Sequence, residues 1–361
     1  MEGLVASFWN GRSVLVTGHT GFKGSWLVLW LSRLGARVTG YSLQPDTAPN
    51  LFGLAGVSGL CTSRIGDVCD ARSLADVLAS SRAEVVFHLA AQSLVRRGYA
   101  DPVATYQTNV MGTVNLLQAV RSSPTTRVVV NVTTDKCYAN LETARAFTEG
   151  DALGGFDPYS NSKACAEFVT QSFRDSYFSA PGGTAGPVAV ATARAGNVIG
   201  GGDWNTDRLI PDIVKAFAAG KPVQIRNPHA RRPWQHVLEP LAGYLLLAER
   251  CHEDAARYAR AWNFGPSLED VMPVSWVVER AASLWGGDAR WSRDVTEHPH
   301  EATTLALDSS RARRELGWRS RLSIANALNW TIEWYRDVAS GRNARDACGA
   351  QIADYEGLIS T

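Results

Sequence analysis

Lysine is scarce in this sequence. Of 36 basic residues in 361, Lys23, Lys136, Lys163, Lys215 and Lys221 are the lysines and the other 31 are arginine. Arginine evidently serves wherever any positive charge suffices, so each lysine invites a question, since a lysine can shift its pKa and act as a base or proton relay and an arginine practically cannot. An excess of either charge is also missing: 35 acidic residues leave a formal net charge of +1. That excludes a global field for holding nucleic acid or an anionic membrane, while a local anion site stays open. Long hydrophobic runs are absent; the block Trp26–Leu31 is far short of a membrane span. Residues Met1–Val5 carry no basic group ahead of an apolar block, so no secretory leader is expected. The six cysteines, at 61, 69, 137, 165, 251 and 348, include no Cys-x-x-Cys pair, which points to reduced thiols in a cytoplasmic protein. No metal is expected: Pro299 separates His298 from His300, and beyond Glu297 and Glu301 no further ligand pattern is present.

What is present is an ordinary globular composition, 45% hydrophobic and 20% charged, enough for one large domain or two intimately packed ones. Ser13–Thr17 reads as a buried strand running into Gly18-His19-Thr20-Gly21-Phe22-Lys23-Gly24 and then the amphipathic Ser25–Gly35. Strand, glycine turn and helix are the setting of a phosphate cradle, with free N–H groups at the helix start. Gly18, Thr20, Gly21, Phe22 and Gly24 are therefore candidate cofactor contacts. Lys23 is either another, near a pyrophosphate, or a helix-face charge. The alternation continues with strands at Ala36–Tyr41, within Leu60–Val68, and at Ala83–Leu89, Thr126–Val132 and Pro187–Arg194. Helices are expected at Ala71–Ser80, Pro102–Arg121 and Tyr159–Tyr177. Short βα connections imply an α/β, Rossmann-like, doubly wound parallel sheet whose ligands sit at the C-terminal strand ends. Asp67, Leu89, the small residues Ala90-Ala91 of the stretch Ala90-Ala91-Gln92-Ser93, and Thr108 fall there.

After Arg194 the rhythm fails. Ala195–Trp204 is glycine-rich, followed by helices at Leu209–Ala219, Glu239–Cys251, Val274–Trp285 and Ile324–Val338 and short strands at Val223–Arg226 and Ala261–Phe264. The expected layout is a cofactor domain over 1–194, taking in part of 232–266, and a smaller, mostly C-terminal substrate domain over 195–231 and 267–361.

The stretch Val128–Lys163 carries the chemistry. A β-branched run, Val128-Val129-Val130-Asn131-Val132, ends in Thr133-Thr134-Asp135-Lys136, and Tyr159-Ser160-Asn161-Ser162-Lys163 opens the next helix. Tyrosine and lysine four apart share one helix face, so an ammonium is placed to stabilise a phenolate. Ten tyrosines and five lysines scattered over 361 positions give roughly 0.14 such pairs by chance. The pattern therefore carries information before its position is considered.

These residues resemble a known superfamily. Thr17–Gly24, His88-Leu89-Ala90-Ala91, Thr108-Asn109 and Tyr159-x-x-x-Lys163 are similar to the extended short-chain dehydrogenase/reductases. Within them, Thr134-Asp135-Lys136-Cys137-Tyr138 and Gly200-Gly201-Gly202-Asp203-Trp204 look like the CDP-glucose 4,6-dehydratase branch, and the likeness runs on through Arg231–Val237 to His300-Glu301-Ala302 and Leu316-Gly317-Trp318. The resemblance implies NAD as cofactor, CDP-glucose as substrate and a homodimer or a tetramer built from one. It implies an internal redox dehydration to the 4-keto-6-deoxy sugar, with the hydride of C4 returning at C6. Tyr159, assisted by Lys163 and a cationic nicotinamide, would take the C4 hydroxyl proton, and Thr134 would bond that hydroxyl. Asp135 would be the acid for the departing C6 oxygen and Lys136 the base at C5. An ammonium beside a carboxylate favours both charged forms while desolvation favours both neutral ones, so Lys136 is either that base or a cation stabilising an enolate. Arg232 is the leading cation for the substrate diphosphate, ahead of Arg208 and Arg231; Asn197, His300, Ser93 and Arg97 are further substrate candidates. The end of the second strand, Tyr41–Asp46, holds neither an early acid nor an arginine, so NAD rather than NADP rests on the resemblance. Alternatives are a dTDP- or GDP-sugar dehydratase, an epimerase, which has no need of Asp135-Lys136, or a silent NAD-binding sensor.

Overall fold

A computed structural model describes residues 5–140, 142, 145–179, 188–296 and 304–360. Six strands come first: β1 (Ser13–Thr17), β2 (Arg37–Ser42), β3 (Thr62–Ile65), β4 (Val85–His88), β5 (Val128–Val132) and β6 (Ala189–Arg194). Four short ones follow, β7 (Val198–Ile199), β8 (Val223–Ile225), β9 (Arg231–Pro233) and β10 (Gln235–His236), then β11 (Ala261–Asn263), β12 (Val271–Pro273) and β13 (Trp291–Arg293). The main sheet has seven strands in the order β11-β6-β5-β4-β1-β2-β3, and its pairings are parallel throughout. The order reverses between β1 and β4. Their following loops diverge there and open a crevice above the sheet, the usual ligand position in such folds.

Alternation of side chains along buried strands builds two cores. Val14, Val16, Val85, Phe87, Val128 and Val130 pack on one face with Trp26 and Trp30 of α1 (Phe22–Arg33). Leu15, Val86, Val129 and Val190 pack on the other with Leu74 and Leu78 of α2 (Ala71–Ser81) and Leu116, Leu117 and Val120 of α3 (Gly112–Arg121). A sheet covered on both faces explains why its strands read as continuous apolar runs. α4 (Pro158–Phe173), capped by Asp157 and with Pro158 in its first turn, carries Tyr159 and Lys163.

The later chain forms α5 (Leu209–Ala218), α6 (Leu238–Glu253), α7 (Val274–Trp285), α8 (Ile324–Ala339) and α9 (Ala344–Ser360). The short strands pair as β7 with β10, β9 with β12 and β8 with β13. Two departures from the expected elements are informative. The segment expected as one helix over Pro102–Arg121 contains a π turn at Gln107–Met111, and the buried Asn109 lies in it. Its Nδ2 donates to Gln92 O at 2.9 Å and Ser162 Oγ at 2.8 Å, and its Oδ1 accepts from Gln92 N at 2.9 Å. The widened turn thus clamps the loop after β4 to α4, a common use of π-bulges at functional sites. Helix α9 has no counterpart in the sequence reading. Its buried positions are Ala344, Ala347, Cys348, Ile352 and Tyr355, mostly too small to make a strong apolar stripe. It docks through Tyr355, whose hydroxyl donates to Glu239 Oε2 at 2.7 Å.

Candidate active site

One cavity of about 710 Å³ lies over the C-terminal strand ends, within the range of small-molecule sites. The glycine turn forms its floor at one end. Gly18 sits at φ +78°, and a Cβ there would lie 2.7 Å from Ala90 N, so both conformation and crowding require glycine. Gly21 is the N-cap of α1 and supplies no side chain to its first turn. Gly18, Thr20, Gly21, Phe22, Lys23 and Gly24 all line the cavity, so the uncapped N–H groups suit a pyrophosphate. Thr20 ties the turn to the end of β2, donating to Leu43 O at 2.9 Å. Asp67, Leu89, Ala90, Ala91 and Thr108 line the same space. Asp67 Oδ1 accepts from Cys69 N at 2.9 Å. Asp46, late after β2, faces Arg97 at 3.9 Å, and both are exposed. The donor set of this cradle suits the pyrophosphate of a dinucleotide such as NAD.

The reactive groups gather past that cradle. Thr134, Asp135, Tyr159 and Lys163 are all buried, and with Lys136 they line the cavity. Thr134 Oγ1 donates to Asp135 Oδ1 at 3.0 Å and lies close enough to the Tyr159 phenol to lower its proton affinity. Lys136 Nζ lies 3.6 Å from Asp135 Oδ1 and is partly exposed, whereas the Asp135 side chain is fully enclosed. Asn197 Nδ2 donates to Asp135 Oδ2 at 3.2 Å. Burial pushes the Tyr159 phenol up to about 12; the Thr134 hydroxyl pulls it down, Asp135 pushes it up and Arg208 pulls it down. Lys163 lies one helix turn on from Tyr159 and lines the same cavity. Its ammonium turns back to the strand end and donates to Val132 O at 3.1 Å, and among the main influences on the phenol the cation is Arg208. Burial lowers Lys163 itself to about 8, with Glu167 opposing.

Opposite stand the substrate candidates. Arg208 spans the opening, donating to Ser93 Oγ at 2.7 Å and to Asp203 Oδ2 at 2.9 Å. Arg232 is buried and lines the cavity. Arg231 is turned to Val271 O at 2.5 Å and does not line it. His300 and Glu301 lie outside the described residues. No cluster of potential metal ligands occurs among the described residues.

Several supporting residues escaped the sequence reading. Glu167 and Arg194 form a buried ion pair at 2.7 Å. Glu167 also accepts from Thr133 Oγ1 at 2.5 Å and Thr192 Oγ1 at 2.7 Å, and Arg194 donates to the Tyr138 hydroxyl at 2.8 Å. This network fixes both flanks of Thr134–Lys136. Glu167 was accessible in principle, four residues beyond Lys163 on the same helix. Gly196 was not: a Cβ there would overlap the Asp135 carboxylate, a contact only folding reveals. Asp157 follows the general signal of an Asp-Pro helix start.

Residues 15–331 match the family described as GDP-mannose 4,6 dehydratase. The chain belongs to the GDP-mannose 4,6 dehydratase family. One relative is the CDP-glucose 4,6-dehydratase of Salmonella typhimurium, 48% identical over 97% of each chain. A dTDP-glucose 4,6-dehydratase of Xanthomonas campestris is 28% identical over 89% of this chain and 92% of its own. Among solved structures, the dTDP-glucose 4,6-dehydratase of Streptomyces venezuelae with NAD and TYD bound superposes with a TM-score of 0.76 at 26% identity, covering 91% of this chain and 98% of that one. This GDP-mannose 4,6 dehydratase family member also shares its fold with the UDP-glucose 4-epimerase of Thermotoga maritima, at a TM-score of 0.78 and 20% identity over 90% of this chain and 99% of that one.

Proposed function

We propose that this chain is an NAD-dependent CDP-glucose 4,6-dehydratase, a lyase of deoxysugar biosynthesis converting CDP-glucose to CDP-4-keto-6-deoxyglucose and water. The observation that carries this is Asp135 with Lys136 at 3.6 Å, the Asp135 carboxylate accepting from Thr134 in the same cavity wall as the buried Tyr159. An epimerase has no elimination to catalyse and no need of that pair. The 48% identical Salmonella relative supports CDP over other nucleotides.

NAD, when bound, supplies the acceptor that takes the C4 hydride and gives it back at C6. The chain's own residues move the protons. Tyr159 Oη takes the C4 hydroxyl proton. Thr134 Oγ1, beside Tyr159 and donating to Asp135 Oδ1, relays it to the carboxylate. Asp135 then hands a proton to the departing C6 oxygen, completing the water. Lys136 Nζ removes the C5 proton as a neutral amine and returns it to C5 as hydride arrives at C6. Arg208 and Arg232 hold the diphosphate, with Ser93 and Asn197 on the sugar side.

The domain division follows the same logic. Residues 1–194, with the part of 232–266 that returns β11 to the sheet, hold the cofactor, and 195–231 with 267–361 hold the nucleotide sugar. The protein works in the cytoplasm as a homodimer; exposed Val103, Met111, Phe168 and Tyr177 on the segments 102–111 and 158–178 support pairing there. Among the described residues no helix is long and apolar enough to cross a membrane.

The test is incubation with CDP-, dTDP- and GDP-glucose followed by mass spectrometry. Loss of one water from CDP-glucose without added oxidant is expected. Turnover of only the other nucleotides would defeat the CDP assignment, and inactivity on all three with NAD bound would favour a sensor.

A further inference from the structure

Three of the five lysines, Lys23, Lys136 and Lys163, line one cavity, and the mechanism above gives Lys23 no part. Lys23 follows the glycine turn, which suggested a pyrophosphate contact. Its surroundings place it elsewhere. Its Nζ lies 6.0 Å over the centre of the Tyr244 ring. The charges that act on it are Arg208, Lys163, Asp135 and Asp203, all from the end of the cavity that holds Tyr159. None comes from the Asp67 and Leu43 end. Among the described residues its amine has no hydrogen-bond acceptor and no ion-pair partner. A half-buried amine in the wall of a ligand cavity, with no acceptor among the described residues, is a group left open to a ligand.

We infer that Lys23 poises the redox end of the cofactor site, taking up a proton when the nicotinamide is reduced and releasing it when the ring is reoxidised. This rests on the NAD reading. An oxidised nicotinamide carries one positive charge and a reduced one carries none, since the arriving hydride brings two electrons and one proton. In a poorly solvated pocket a cationic ring disfavours an ammonium beside it, and a neutral ring does not. The proton taken up at Lys23 Nζ comes from water at the open mouth of the cavity. The amine is suited to this exchange because burial, with help from Arg208 and Lys163 and against Asp135 and Asp203, lowers it to about 7. An arginine, the residue this sequence prefers elsewhere, would stay charged in both states. Facing groups from the other elements are Lys163 of α4, Asp135 after β5, Asp203 and Arg208 between β7 and α5, and Tyr244 of α6.

The sign follows from linkage: the reduced complex holds the extra proton, so acid favours NADH over NAD. The holoenzyme is titrated with NADH between pH 6 and 8, and the exchange constant for NADH replacing NAD is read from nicotinamide fluorescence. In the wild type it rises on acidification, by up to about tenfold per pH unit for one linked proton. Lys23→Met, of similar length and uncharged, should flatten the rise to within about twofold of the residual slope left by Lys163. Lys23→Arg should hold the constant high at every pH, and it tests the idea even if Lys23→Met fails to fold. A wild-type slope retained in Lys23→Met, or an exchange constant in Lys23→Arg that still climbs with acid, overturns the inference while leaving the dehydratase reading untouched. Failure of the wild type to bind NAD or NADH overturns both, and is distinguishable because no exchange is then seen at any pH.

Discussion

Replacing Glu167 by glutamine removes one charge from a pair with almost no access to water. The side chains of Arg194 and Glu167 are 4% and 3% exposed, and Arg194 Nε already lacks a partner. The carboxylate accepts three hydrogen bonds, from Thr133, Thr192 and Arg194, and glutamine can keep at most part of that set. An uncompensated guanidinium then stays buried, and breaking such a pair costs about 3–5 kcal/mol. Urea unfolding followed by tryptophan fluorescence reads this as a lower midpoint with unchanged slope. A double variant, Glu167→Gln with Arg194→Met, removes the stranded charge and should recover most of the loss. The same substitution removes the group that holds Lys163 up, so its amine should titrate below about 8. A loss under about 1 kcal/mol, or a double variant no better than the single one, would refute the claim that this pair is isolated from solvent.

Other substitutions separate the steps of the reaction. Tyr159→Phe should abolish hydride transfer, with no reduced nicotinamide absorbance on mixing with substrate, while the urea midpoint stays within about 1 kcal/mol of wild type. Lys136→Ala should oxidise C4 and then stall, accumulating the 4-keto sugar with its C6 oxygen; turnover at the wild-type rate would remove Lys136 from the mechanism. Gly196→Ala forces a Cβ into the Asp135 carboxylate and should cut dehydration by about 100-fold or more, as misplacement near an ångström does, with C4 oxidation less affected. Glu239 is raised to about 7 by burial, against the hydrogen bonds from Tyr355, Leu322 and Arg321. A raised carboxyl favours the protonated fold, so stability should fall as pH climbs from about 4.5 to 7 and level off above. The total, at 1.36 kcal/mol per pKa unit, is about 3 kcal/mol, and Glu239→Gln should flatten that slope in urea midpoints measured from pH 4.5 to 8.

The α/β alternation, the glycine turn, Tyr159 with Lys163 and Asp135 with Lys136 were legible in the sequence. Each is written in neighbouring positions, as a periodicity of buried strands or a spacing along one helix face. Other features depend on which distant segments meet and how much water they exclude. Packing at the strand ends brought Gly196 against Asp135 and Arg194 against Glu167, and docked a weakly patterned α9 through Tyr355. It turned the Lys163 ammonium to Val132 O and brought Arg208 close enough to act on the phenol. It also set Lys23 among the charges of Arg208, Lys163, Asp135 and Asp203, with its amine over the Tyr244 ring. A side chain's neighbours across the fold, and the burial that sets its charge, have no local signature; they exist only once the sheet and its two layers of helices have closed.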